Sequence, residues 1–158
     1  MSKGKTISLI VGTLILAVII FIAGWGIGFR NGMKAGGMTS SMAEMMLIQN
    51  HLTDQLANAD CYGLKAAIND YMMIIEKHKD GNSPFITETT YWGDVMITHT
   101  RLSRIEKKIG NEASSQQHLQ TALKACIKRG WKECSEDKLI EFTTRLEEKN
   151  PIACLSND

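Results

Sequence analysis

No Cys-x-x-Cys motif and no pair of histidines at zinc-ligand spacing occurs in the 158 residues, which removes the usual signatures of a metal site or a dithiol redox centre. His51, His78, His99 and His118 are scattered, and each alone reads as a helix-surface or satisfied core side chain. No nucleophile elbow surrounds a serine, and Ser114, Ser115 and His118 read as an exposed polar helix surface. No catalytic, metal or cofactor-binding residue is therefore assigned, and the chain is read as a non-enzyme. No Asn-x-Ser/Thr acceptor is present, which is compatible with a bacterial periplasmic location. With two prolines, and few β-branched alternations after residue 30, the chain reads as all-α. A formal net charge of +1 supplies no field to draw in nucleic acid or anionic lipid.

One absence is local. Residues 7–29 run for 23 positions without a charge, between Lys3 and Lys5 on one side and Arg30 on the other. At ~1.5 Å per residue this reaches about 35 Å, enough to span a hydrocarbon core of roughly 30 Å as a single transmembrane helix. A cleaved signal peptide is the competing reading. The run exceeds the usual h-region, and the nearest small-x-small site, Ser41-Met42-Ala43, lies well downstream, which favours an uncleaved signal anchor. Residues 1–6 are then a cytoplasmic N-terminus.

Gly24, Gly28, Gly32 and Gly36 fall four apart, on one helix face, as a chained Gly-x-x-x-Gly pattern. Without side chains there, two helices approach closely, which in lipid is a main driving force for association and predicts a homodimer. The alternative is a glycine-rich juxtamembrane hinge over residues 30–40 whose glycines match the period by chance.

Cys61, Cys126, Cys134 and Cys154 all follow the apolar run, which suits an oxidising compartment and two disulfides. The expected topology is a single-pass inner-membrane protein with its domain, residues 41–158, in the periplasm. Cys126 and Cys134 flank the Gly130-Trp131 turn, and Cys61 with Cys154 follows by elimination, although four cysteines allow three pairings. Trp131 reads as a packing cap beside the short bridge.

Five amphipathic helices joined by short turns are expected in this domain, stacked as a helical hairpin array with each burying one stripe. Ser41 and Glu44 form a capping-box pattern for the first, about Met42 to Asn58. Asp60 caps the second, which stops at Asp80-Gly81-Asn82. The third lies between Thr87 and Ile109, with Val95, Leu102, Ile105 and Ile109 inward and Gly110 as its cap. Asn111 caps the fourth, Glu112 to Lys128, ended by Gly130. Ser135 caps the fifth, with Leu139, Phe142 and Leu146 inward and Asn150-Pro151 as its stop. The basic clusters Arg101, Arg104, Lys107, Lys108 and Lys124, Lys128, Arg129, Lys132 read as solvated helix surface. Met42, Met45 and Met46 read as core filler or, alternatively, as an adaptable apolar groove.

Residues Thr100 to Ala125 resemble one tetratricopeptide-type helical hairpin. The resemblance is carried by Leu102 and small Ser103, Gly110-Asn111 at the turn, small Ser115, bulky Leu119, and Ala122 at the helix crossing. Glu106 stands where that family places an aromatic, and no second copy follows in register. The resemblance implies a protein-binding scaffold whose concave surface receives a peptide or partner helix. The expected function is thus a membrane-anchored periplasmic scaffold with an unidentified protein partner. Its alternatives are an immunity-type partner that neutralises a toxin or effector, and a structural membrane oligomer built on the glycine face.

Overall fold

The computed structural model describes residues 36, 39–79, 86–148 and 151–156. The chain divides into two units, Met1–Ser40 and Ser41–Asp158. Residues 7–29, with Gly24, Gly28 and Gly32, lie outside the described residues, and no described helix is long and apolar enough to cross a membrane. Gly36 is helical and exposed, with open space where a Cβ would project.

The described residues are all-α, with five helices and no strand. Helix α1 covers residues 39–58, so its start departs from the sequence expectation. Residues 39 and 40, placed in the hinge, are helical, and Ser41 is buried instead of capping. Glu44 is engaged elsewhere: its carboxylate accepts from Lys77 Nζ at 2.7 and 2.9 Å and meets His78 Nε2 at 2.8 Å. The Lys77 ammonium, followed by His78, holds the Glu44 carboxyl below its usual range.

Helix α2, Cys61–His78, starts where Asp60 Oδ1 accepts from the Gly63 amide at 2.7 Å. Leu64, Ala67, Ile68, Tyr71 and Ile75 are buried at spacings of three and four, the stripe expected of a helix facing a core. Helix α3, Glu88–Lys108, begins with a reciprocal box in which Thr87 and Thr90 each accept the other's amide. Helix α4, Glu112–Arg129, follows the Gly110 turn, and Gly130 closes it.

Both glycines are left-handed, with φ of 80° at Gly110 and 85° at Gly130. Each carries the paired bonds of a Schellman end. The Gly110 amide donates to Lys107 and that of Asn111 to Glu106; the Gly130 amide donates to Ile127 and that of Trp131 to Cys126. Asn111 makes no side-chain cap bond, against expectation; its ψ of 71° lies outside the extended backbone that Asp60, Thr87 and Ser135 adopt as caps. Helix α5, Glu136–Glu147, is capped by Ser135, and a single 3-10 turn, Ala153–Leu155, follows Pro151.

Helix α3 is the centre: it touches α2, α4, α5 and the 3-10 turn. It is therefore buried on more than one stripe, with Met96, Thr98, Thr100 and Ser103 joining Val95, Leu102 and Ile105. Thr98 and Thr100 tolerate this because their hydroxyls donate to Asp94 and Met96 carbonyls one turn back, at 2.6 and 2.8 Å.

Helix α5 presents a different face from the one its leucines predict. Leu139 is buried, but Leu146 is 42% exposed, and Thr143 and Glu147 point inward. Glu147 sets this rotation by accepting from Arg104 Nη1 at 2.6 Å and Arg101 Nε at 3.3 Å. Those arginines are thus not a solvated surface. In the second basic cluster Lys124, Lys128 and Lys132 are exposed as expected, with the Lys128 ammonium 3.9 Å above the Trp92 ring, whereas the Arg129 guanidinium lies against Gly93, whose missing Cβ leaves it room.

The cysteines close as two bridges. Cys126–Cys134, with Cα atoms 5.9 Å apart, spans the Gly130-Trp131 turn. Cys61–Cys154, at 5.0 Å, ties the start of α2 to the C-terminal 3-10 turn across a sequence separation of 93. Trp131 packs beside the short bridge, edge-on to Phe142 at 4.8 Å.

Candidate functional site

The hairpin of α3 and α4 brings the residues of the tetratricopeptide-type segment together. Leu102, Ser103, Ser115, Leu119 and Ala122 are all buried, and the Ser103 and Ser115 hydroxyls stand 3.1 Å apart where small side chains let the helices close. Ser115 also donates to the Ser103 carbonyl at 2.8 Å. It is a packing residue, not part of an exposed polar surface.

One helical turn farther from the loop on each helix, His99 and His118 meet with Nδ1 atoms 2.9 Å apart. Their spacing in sequence does not pair these histidines. An antiparallel hairpin closed at Gly110 makes them neighbours, in the same register that pairs Ser103 with Ser115. Burial, then the neighbouring His118, push the His99 imidazole down from 6.5 to about 4, and burial lowers His118 as well.

A contact between two ring nitrogens needs one donor and one acceptor, so protonating both rings would set two cations against each other. The folded state therefore binds fewer protons than the unfolded chain between about pH 6.5 and about pH 4, and stability falls as the pH drops through that window. The site is partly open, so the loss is roughly 1–2 kcal/mol rather than the full shift. Melting temperatures at pH 7 and pH 5 should show a smaller acid loss for His99→Gln than for the wild type. Equal losses would mean that the pair does not sense acid in this range.

Below this pair lies Glu106, fully buried, with Lys65 Nζ 2.5 Å from its Oε1 and no partner on Oε2. It puts a buried charge, reached from α2, at the position where a tetratricopeptide-type pattern has an aromatic. His78, read as a surface residue at a helix end, is buried against Glu44.

Exposed apolar side chains stand on α1, α2, α4 and α5, and those of α1 are neighbours in sequence. Met42, Met46 and Leu47 are 42%, 56% and 71% exposed, whereas Met45 is buried on the inner side. A cavity of about 380 Å³ opens beside them, lined by Met42, Met45, Met46, Gln49, Ile86, Thr90 and Asp94. The Asp94 carboxyl at its wall is raised above its usual range by burial, and it shares a hydrogen bond with Tyr71. A second hollow of about 480 Å³ lies over Trp131 and Phe142. Its charges are internally matched, since Glu141 accepts from Lys138 at 3.0 Å and pairs with Arg145.

No family model matches the chain, and no curated protein or solved structure matches it significantly. The reading of function therefore rests on this chain's own surface and composition. The methionine cluster was visible in the sequence, but its division into one core residue and two exposed ones was not, because that depends on where α1 lies against α3.

Proposed function

We propose that the chain is a single-pass, membrane-anchored protein whose helical domain works outside the cytoplasm as a protein-binding or scaffold module. The 23 uncharged residues at 7–29 support the anchor, and the glycine face at Gly24, Gly28, Gly32 and Gly36, of which Gly24 and Gly28 fall within that run, supports pairing of two copies. Two closed disulfides support an oxidising compartment, the periplasm in a bacterium.

The outer face of α1 carries the binding part of the reading. Met42, Met46 and Leu47 stand in solvent close together on one helix, whereas the other exposed large apolar side chains, Tyr62, Met73, Ile127 and Leu146, are spread over α2, α4 and α5, and methionine adapts its shape to varied partners. A photoreactive residue placed at Leu47 of the full chain in its own membrane should form a discrete protein adduct. The same residue at Gln120, on the exposed side of α4, should form none. No adduct at Leu47, or equal adducts at both, would remove α1 as the binding face.

A further inference from the structure

Three methionines contribute to the lining of the cavity beside α1. Met42, Met45 and Met46 stand at i, i+3 and i+4, where Cβ atoms lie about 5–6 Å apart, and all three side chains line the same space. Core filling does not account for them: Met42 and Met46 are 42% and 56% exposed.

The oxygens around the cavity are already engaged within the protein. Thr90 is used in the cap of α3, and Gln49 and Asp94 both hydrogen-bond Tyr71. Hard cations such as calcium or magnesium require six or more oxygens, and zinc prefers thiolate or imidazole, neither of which lines this cavity. Thioether sulfur is soft and uncharged, and it selects a soft monovalent ion. Asp94 adds a partly buried carboxylate to the lining, on which the Arg129 charge also acts, so a single positive charge entering the space meets a carboxylate.

We propose that Met42, Met45 and Met46 form a binding site for a soft monovalent metal ion, Cu(I) or Ag(I), with Asp94 supplying charge compensation from the cavity lining. The site does not depend on the partner-binding reading, because metal would bind with no protein partner present. Both disulfides are closed, so no thiolate among the described residues competes for the ion.

Full-length protein in detergent, disulfides intact, is titrated with Ag(I), and with Cu(I) held reduced by ascorbate against a chromophoric Cu(I) chelator. One equivalent of metal should bind. Binding by Met42→Leu/Met45→Leu/Met46→Leu should weaken at least about tenfold, because leucine keeps the volume but has no sulfur. Met73→Leu, an exposed methionine on α2, should bind as the wild type does. A second measurement needs no folded triple variant: with methyl-labelled methionine, Ag(I) should shift the Met42, Met45 and Met46 resonances of the wild type and leave Met73 in place. Failure of the wild type to retain either ion, undiminished binding by the triple variant, or shifts confined to methionines outside α1 would each overturn the site.

Discussion

Replacing Cys61 and Cys154 with serine is expected to lower the unfolding free energy by about 4–5 kcal/mol, whereas the same change at Cys126 and Cys134 should remove only about 2–3. The difference follows from loop length. The first bridge closes a separation of 93 residues and the second one of 8, so the first removes more freedom from the unfolded chain. Position reinforces the contrast: without the long bridge, the 3-10 turn with Ile152 and Cys154 loses its covalent tie to α2, and both residues are part of the core. Urea unfolding of the full chain in detergent, followed by circular dichroism, measures the two losses. Equal losses, or a larger one for the short bridge, would show that the C-terminal turn stays docked without its covalent tie.

Leu102→Ala should destabilise the domain by about 2–5 kcal/mol, and Leu146→Ala by less than about 0.5. Helical spacing alone ranks the two as equivalent core leucines. Leu102 is 1% exposed on the central helix, in contact with elements on several sides, so truncation leaves a cavity that cannot collapse. Leu146 is 42% exposed because Glu147 turns α5 toward Arg101 and Arg104. Denaturation midpoints of the two variants settle the register of α5. A large loss at Leu146 with little at Leu102 would mean that α5 packs on its leucine face after all.

Much of the helical framework was legible because its signals are local. Asp60, Thr87 and Ser135 begin helices at the places where a side-chain oxygen can take an orphan amide, and Gly110 and Gly130 end them where φ turns positive. The Gly130-Trp131 turn favoured one disulfide pairing among the three that four cysteines allow, and the two bridges close in that pairing. The failures involve charges reaching across helices. Glu44 looked like part of a capping box and is tied to α2, and Arg101 with Arg104 looked solvated and instead meets Glu147 of α5. No residue near these in sequence announces the partner, since a charge is read as exposed until its counterion arrives from another element. The histidine pair is intermediate: the Gly110 hairpin register contains it, once Ser103 and Ser115 are seen to face each other. The cavity beside α1 depends on helix placement that periodicity does not encode.

The account rests on a helical domain that stays joined to its apolar N-terminal run and closes its bridges outside the cytoplasm. Intact-mass spectrometry tests both at once, on protein quenched in acid directly from cells, denatured, and exposed to a thiol reagent without reductant. The expected mass retains residues 7–29 and carries no label on Cys61, Cys126, Cys134 or Cys154. A product that has lost the apolar run, or that carries four labels, would contradict the account.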